Sequence, residues 1–334
     1  MTSTVVFVNG GTGFIGRALC SAFLKLSCNR DSVGHTKQPG SEGDTLGNES
    51  LHVADPERQH AYQLYVQTRM PSHHRHRAIT FVSSYEDLPD DVIPDVIVNL
   101  AGAPIAEKRW SEGRKKTLLD SRIRLTESLF RAIKAKNHRP SVLINASAIG
   151  YYGFTTQQAC LESGALGEGF AAELCSQWET AAKLFSELGT RVCLFRIGVV
   201  LGPGGGALGK LLPVFRMALG GPIATGEQWF SWVHICDLVH LMIEAVHNSE
   251  YHGAINATAP NPVPQAIFAQ ALGKALKRPA KLHTPGFILK LIYGQMAEEL
   301  LIGGQKVVPA KASNLGFEFE YDNIDAALAD ITQV

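Results

Sequence analysis

Residues 2–19 read TSTVVFVNGGTGFIGRAL, and the break inside that stretch decides the fold. Val5, Val6, Phe7 and Val8 form a short β-branched and aromatic run, the composition of a strand buried on both faces. Gly10, Gly13 and Gly16 follow in G-x-x-G-x-x-G spacing and lead into RALCSAFLKL, which has helical periodicity. Strand, glycine turn and helix together make a dinucleotide motif physically intelligible. The first glycine permits the tight turn, the second lets backbone approach a pyrophosphate, and the third lets helix pack on strand. The phosphate is then met by unpaired N–H groups and the positive end of the helix dipole, at Phe14, Ile15 and Gly16. An ordinary glycine-rich βα turn would look the same in isolation, so the rest of the chain has to decide.

Strand and helix patterns alternate downstream. YQLYVQTR, DVIVNLAG (95–102), SVLINASAIGYYG and RVCLFRIGVVLG read as strands, while Ser111 to about Lys136 and ELCSQWETAAKLFSEL read as helices. That alternation implies right-handed crossovers and a parallel sheet covered on both faces, a Rossmann-type, doubly wound α/β fold. Residues 28–60 lack apolar periodicity and read as a surface insertion. From Gly202 the texture becomes GPGGGALGKLLPVFRMALGGP, the start of a smaller C-terminal lobe. The expected organisation is a dinucleotide-binding part over 1–200, a lobe mainly over 201–334, and a segment near 228–258 that returns to the first part.

The 334 residues hold 31 Lys+Arg and 31 Asp+Glu, so net charge gives no reason to expect nucleic acid or an anionic membrane as main partner. Six widely spaced cysteines without a C-x-x-C pair imply neither a disulfide framework nor a metal site. No apolar run approaches membrane-spanning length. With a strand beginning so near Met1, the default expectation is a cytoplasmic protein, import by an internal signal being the alternative. A small molecule is the expected partner, and a homodimer is the oligomeric form considered.

In an open parallel sheet the ligand lies beyond the carboxyl ends of the strands. The residues there are GGTGFIG, TR, NLAG, ASAIGYYG and GVVLGP, all rich in small, polar or glycine residues as a cofactor crevice requires. With GGTGFIG, NLAGAPIAEKRW and a following SR, SAIGYYG, RIGVVLGPGGGALGKLLPVFRMALGGPI, WVHICDL and LIGGQKVVPAKASNLGFEF, the chain resembles the extended short-chain dehydrogenase/reductases. These form the NAD(P)-dependent epimerase/dehydratase superfamily, and the nearest type is family 39U, "epimerase family protein". The resemblance covers nearly the whole chain outside 28–60.

Cofactor choice has a physical basis. NAD sites place a carboxylate after the second strand to bind the ribose, whereas this strand ends in Thr68 and Arg69. A guanidinium suits a 2′-phosphate through charge-assisted bonds, so NADP(H) is expected, as the resemblance also implies. Leu100, Ala101 and Gly102 are expected to run past the adenine-ribose half. The resemblance adds Arg122 and Thr117 to that region, and Val200 beside the nicotinamide amide.

Reductases of the superfamily use a serine and a Tyr-x-x-x-Lys pair for proton transfer. Ser147 matches the serine, but Phe170 and Leu174 stand where tyrosine and lysine belong. Tyr151 and Tyr152 are the phenols near that strand end, either for catalysis or for lining the site. Substrate contacts are expected from Lys210, Arg216, Gln228, Trp232 and His234, with Asp237 as a helix cap. His73, His74 and His76 read as a solvated loop. Two functions follow: an NADP(H)-dependent oxidoreductase or epimerase acting on a small polar, nucleotide-sugar-like molecule, or a non-catalytic protein holding NADP(H) as a structural or redox-sensing ligand.

Overall fold

The computed structural model describes residues 3–28 and 61–333; the expected insertion at 28–60 lies outside the described residues apart from Cys28. Strands run in chain order β1 (Thr4–Asn9), β2 (Tyr62–Gln67), β3 (Ile79–Val82), β4 (Val96–Asn99), β5 (Val142–Ala148), β6 (Thr155–Cys160) and β7 (Arg191–Ile197). They continue with β8 (Val199–Leu201), β9 (Trp229–Phe230), β10 (Trp232–His234), β11 (Gly253–Ala257), β12 (Val263–Pro264) and β13 (Gly304–Val307). The larger helices are α1 (Phe14–Cys28), α2 (Glu112–Asp120), α3 (Ile123–Ala135), α4 (Phe170–Lys183), α5 (Gly206–Arg216), α6 (Ile235–His247), α7 (Gln265–Ala275) and α8 (Gly286–Tyr293). Three more follow: α9 (Gln295–Ala297), α10 (Ala310–Asn314) and α11 (Ile324–Thr332).

Seven strands form one sheet in the order β11-β7-β5-β4-β1-β2-β3. Every neighbouring pair in it is parallel. Strand order reverses between β1 and β4, which makes their carboxyl ends the switch-point crevice of a doubly wound sheet. Period-two alternation sends each strand's side chains to two cores. Val6, Val8, Val98 and Ile144 pack beneath Leu19 and Phe23 of α1 and Leu238 and Met242 of α6. Phe7, Ile97, Leu143 and Leu194 pack on the other face with Leu129 and Ile133 of α3. A third core joins Leu201, Leu208, Phe215, Trp232, Phe268 and Leu328, all from the C-terminal part of the chain.

Two expected elements divide where the sequence read one. The helix over 111–136 breaks at Ser121–Arg122 into α2 and α3; Ser121 caps one and Arg122 opens the other. The RVCLFRIGVVLG run splits at Gly198, where a Cβ would lie 2.7 Å from the Ser231 carbonyl oxygen. Beyond that glycine β8 leaves the main sheet and pairs with β10. Apolar periodicity cannot register either break, because both depend on what approaches from elsewhere. β3 and β11 are strands that the sequence patterns did not show; β11, within the 228–258 segment, lies at the edge of the main sheet beside β7.

The return of the chain is fixed by α6. His234 caps that helix, its Nδ1 accepting from the Cys236 N–H at 3.3 Å. Asp237 is therefore no cap: its carboxylate accepts the Glu320 and Tyr321 N–H groups at 2.8 and 3.1 Å and holds the C-terminal segment. Burial lowers His234 to about 4 and raises Asp237 to about 6. The two oppose each other in acid. The unfolded chain protonates His234 below about 6.5 while the folded chain resists, so stability falls as pH drops toward 4. Asp237 takes its proton in the folded state first, so its contribution rises as pH drops through about 6. Asp237→Asn removes that compensation. Urea titrations should show this variant losing about 1 kcal/mol more than the parent protein between pH 7 and pH 5. Equal losses would mean that the Asp237 carboxyl is not raised in the folded protein.

Candidate functional site

The glycine turn sits at the switch point with the geometry its spacing requires. Gly10 has φ +88°, and a Cβ there would lie 2.8 Å from the Ala101 nitrogen, so the β1 and β4 loops touch through a glycine. Gly13 donates to the Gly10 carbonyl at 3.0 Å, and its own carbonyl accepts from Arg17 at 2.9 Å to begin α1. A Cβ on Gly16 would lie 2.3 Å from the Gly10 oxygen, closer than any real contact, so this glycine lets the helix lie on the turn. The leading N–H groups of α1 have no intrahelical carbonyl to bond, which leaves them for an anion. Arg17, not singled out from the sequence, brings its guanidinium to the Thr12 carbonyl at 3.4 Å beside the same turn.

Phe14 does more than open the helix. Added Cβ atoms at Gly202, Gly205 and Gly206 would meet its ring at 3.1, 2.4 and 2.9 Å. The glycine-rich GPGGG stretch is thus the surface on which the first side chain of α1 packs. Ile15 is half-buried against the α1/α6 core.

The β4 loop carries the other half of the crevice. Leu100 donates to the Asn9 carbonyl at 2.8 Å, which draws the loop against β1. A Cβ on Gly102 would lie 2.7 Å from Cζ of Arg122, so Gly102 admits the guanidinium beneath the loop. Arg122 donates to the Ala103 carbonyl at 3.0 Å and the Leu118 carbonyl at 3.3 Å, and lies 5.2 Å from the Trp178 ring. Burial lowers it to about 10, and among the described residues no carboxylate pairs with it. A desolvated cation held by carbonyls, the Ser121 hydroxyl and a ring, with no carboxylate, has capacity for an anion. Thr68 and Arg69 follow Gln67, which is in register with Asn9, so both lie at the strand ends beside the glycine turn. Thr68 is half-buried and Arg69 exposed. Thr117 is exposed on α2 with its hydroxyl turned onto the Gly113 carbonyl at 2.9 Å. Val200 is half-buried in β8, in register with Val233.

Under these loops lies a row of buried amides. Asn9 donates to Asn99 at 3.2 Å, and Asn99 donates to Asn145 at 2.7 Å and to Thr126 at 2.8 Å. Trp178 donates to the same threonine hydroxyl at 3.1 Å. These residues are in register across β1, β4 and β5, so one bond series fixes three strand ends.

The catalytic expectations fare differently. Ser147 is buried and donates to Glu179 Oε1 at 2.8 Å. Glu179 is simultaneously forked by Arg196 Nε and Nη2 at 2.9 and 3.0 Å. The expectation of Ser147 as a proton-transfer group is corrected: its hydroxyl serves a core ion pair. Arg196 also donates to the Tyr152 hydroxyl at 3.0 Å, and its Cζ lies 3.4 Å from the Tyr151 ring centroid. Burial lifts the Tyr152 phenol to about 12, and it donates to Asn256 Oδ1 at 2.6 Å. Tyr151 is half-buried at the same strand end. Phe170 and Leu174 are buried with Trp110, Leu118 and Met296, an apolar cluster where the family's usual pair would act.

The substrate expectations need correction too. Trp232 is fully buried in the C-terminal core, its Nε1 donating to the Asn261 carbonyl at 3.2 Å. His234 is equally buried, against the Tyr321 ring at 3.9 Å. Neither presents any surface in this structure, because tertiary packing encloses both. Gln228 spends its amide N–H groups on the Ile223 and Leu301 carbonyls at 3.0 and 3.1 Å. Lys210 reaches across to the Ala106 carbonyl at 2.8 Å and ties α5 to the β4–α2 loop, while Arg216 is exposed at the end of α5. The histidine tract is a loop with His74 stacked on Phe81, and no metal-binding group occurs among the described residues.

The chain matches the NAD dependent epimerase/dehydratase family over residues 6–257. It belongs to that family. Residues 284–331 match a domain of unknown function, DUF1731. An Arabidopsis thaliana relative, "Epimerase family protein SDR39U1 homolog, chloroplastic", is 46% identical over 239 residues, 71% of this chain and 68% of its own. A Staphylococcus epidermidis epimerase family protein is 35% identical over 285 residues, 84% of this chain and 94% of its own. The crystal structure of human epimerase family protein SDR39U1 (isoform 2) with NADPH superposes with TM-score 0.80 at 31% identity, covering 99% of both chains. A UDP-glucuronic acid 4-epimerase from Bacillus cereus, crystallised with NAD, shares the fold at TM-score 0.70 and 15% identity over 99% of this chain and 98% of its own.

Within this epimerase-family fold, Glu299 and the Glu179–Arg196 pair are, with Arg17, residues that sequence reasoning missed. Glu299 accepts the Phe170 and Ala171 N–H groups at 3.0 and 2.8 Å, a carboxylate supplied from the C-terminal segment to the start of α4. No local signal marks a partner so distant. Glu179 and Arg196 are 2% and 5% exposed in their side chains, so either one alone becomes an uncompensated buried charge. Glu179→Leu should destabilise by about 3–5 kcal/mol in denaturant titration, while Glu179→Leu with Arg196→Met should recover most of it. A double variant as unstable as the single one would show that the pair's hydrogen-bond network, rather than its charge, holds this region.

Proposed function

We propose that this protein binds NADP(H) across the switch point and exchanges hydride with a small polar, nucleotide-sugar-like substrate, as an oxidoreductase or epimerase that dispenses with the phenol–lysine relay. The observation that carries the reading is the fit of the crevice to a dinucleotide: a Cβ on Gly13 would meet only the Gly10 oxygen, at 3.2 Å, leaving the helix terminus open to a phosphate. Gly10, Gly13, Phe14, Ile15 and Gly16 would hold the pyrophosphate through backbone. Leu100, Ala101, Gly102 and Arg122 would border the cofactor, with Val200 toward the nicotinamide and Thr117 at the margin. Thr68 and Arg69 would read the 2′-phosphate, in keeping with NADPH in the human relative. When bound, the cofactor supplies or accepts the hydride.

The chain's own part is to bind, orient and move a proton. Tyr151 is the phenol we assign to the proton, since Tyr152 is committed to Asn256 and Arg196. Organisation into a cofactor part over 1–200 and a substrate lobe over 201–334 remains our reading. No helix among the described residues is long and apolar enough to cross a membrane. We place the protein in the cytoplasm or, as the name of the Arabidopsis relative suggests, inside an organelle.

A second reading, a protein that holds NADP(H) as a structural or redox-sensing ligand, is favoured by one observation. Ser147 donates to Glu179, and Phe170 and Leu174 pack in an apolar cluster, so no side chain at 170 or 174 can relay a proton.

One set of measurements separates the two and tests the cofactor. Arg69→Ala should weaken NADPH binding about ten- to hundredfold in calorimetry while leaving NADH almost unchanged. Equal losses would move Arg69 from the phosphate to the adenine. With NADPH bound, nucleotide-sugar ketones should accelerate its oxidation, followed by absorbance, and Tyr151→Phe should slow that rate without changing affinity. Tight NADPH binding with no turnover on any such substrate would leave the sensing reading in place.

A further inference from the structure

The balanced charge of the chain conceals a segregated surface. Between Glu250 and Glu298 there is no acidic residue, whereas Lys274, Lys277, Arg278, Lys281 and Lys290 all fall in that interval. The rest of the chain therefore carries the excess of carboxylates. Lys274 pairs with Asp325 at 3.2 Å and Lys290 with Glu298 at 2.9 Å. Lys277, Arg278 and Lys281 are exposed and make no ion pair among the described residues.

The same stretch exposes apolar side chains that a soluble surface normally hides. None of the residues of α8 is buried. Phe287 and Leu291 are 71% and 76% exposed, with Ile288 and Ile292 beside them at 38% and 53%. Positions 287, 288, 291 and 292 share one helix face, since residues three and four apart are neighbours. Leu282 extends the patch from the preceding strap; its N–H donates to the Gly220 carbonyl at 3.2 Å, next to exposed Leu219 and Met217. Ala224 donates to the Thr284 carbonyl at 3.0 Å, so the two straps run side by side beneath the patch.

We propose that α8, with the Lys277–Leu282 strap, is a docking face for an anionic lipid surface. A helix with an exposed apolar face, preceded in the chain by exposed cations, can set that face into the headgroup boundary while lysine and arginine meet lipid phosphates. A second copy of the chain fits the face poorly: a two-fold contact would oppose Lys277, Arg278 and Lys281 to their own counterparts. A protein partner would have to supply an acidic groove with an apolar floor, because Lys277, Arg278 and Lys281 are exposed and the α8 side chains are exposed and apolar. The sequence expectation of no membrane partner rested on net charge and on spanning length. Neither measures a local face.

Flotation of the full-length protein with lipid vesicles tests the assignment. The protein should rise with phosphatidylcholine vesicles containing phosphatidylserine and remain behind with phosphatidylcholine alone, and added salt should release it. Lys277→Gln with Arg278→Gln and Lys281→Gln should weaken binding roughly hundredfold, at about fivefold per charge. Phe287→Ser with Leu291→Ser should weaken it at least about tenfold, from the apolar area withheld. These side chains are exposed, so circular dichroism and melting should match the parent protein. Failure of the parent protein to float, equal flotation on neutral vesicles, or variants that bind like the parent would each overturn the proposal. So would a dimer in sedimentation that the Phe287/Leu291 variant abolishes without any vesicle binding, which would make the face a self-association surface. Preferential binding of an acidic amphipathic peptide over vesicles would assign it to a protein partner.

Discussion

The buried pair of Arg196 and Glu179 is the constraint on which the site end of the molecule depends. Two charges at 2.9 Å with almost no solvent contact must satisfy each other and every remaining donor nearby. Arg196 therefore dictates the positions of its neighbours. Burial works to lower its affinity for the proton, but the bonds to Glu179 and then to Tyr152 carry it above the ordinary arginine range. Ser147 donates into the pair, Tyr151 lies on the guanidinium, and Tyr152 connects it to Asn256. Asn256 in turn donates to the Cys160 and Val308 carbonyls, so a pair joining α4 to β7 also determines where the C-terminal segment lies. An apolar substitute for such a pair is often no less stable. What the pair adds here is a unique arrangement of phenols and amides at the strand ends.

Glycines in this fold are chiefly contact residues. Gly102 admits Arg122, Gly16 admits the turn, and Gly202, Gly205 and Gly206 admit the ring of Phe14. The last contact couples the crevice to the lobe, because the residue that opens α1 is held by the stretch that opens α5. Lys210, bonded to the Ala106 carbonyl, closes a second connection over the same crevice. A ligand at the helix terminus would thus be felt by both parts of the chain.

Much of this was legible in residue order. The β-branched runs, the glycine spacing and the alternation of strand and helix patterns lead to a doubly wound sheet, since each is a local consequence of side-chain shape and backbone freedom. The polar strand ends follow from the same reading, and so does the absence of a phenol and a lysine at 170 and 174. Gly10 and Gly16 take the roles their spacing gave them because a turn's sterics involve only its immediate neighbours. Long-range partners were not legible. Nothing local distinguishes Trp232 or His234, buried in the third core and under Tyr321, from aromatic and imidazole groups lining a ligand site.

The sequence by itself determined the architecture, the position of the switch-point crevice and the glycine geometry of its turn. Tertiary structure alone decided which polar groups are available for chemistry. Ser147 is withheld because Glu179 lies across from it on α4, and Asp237 serves residues 320–321 rather than its own helix. It also decided that the apolar side chains of α8 stay exposed instead of joining a core. The physical reason is common to all three. Local pattern fixes backbone geometry through short-range sterics and periodicity, whereas the state of a side chain depends on partners that only the folded chain brings within reach.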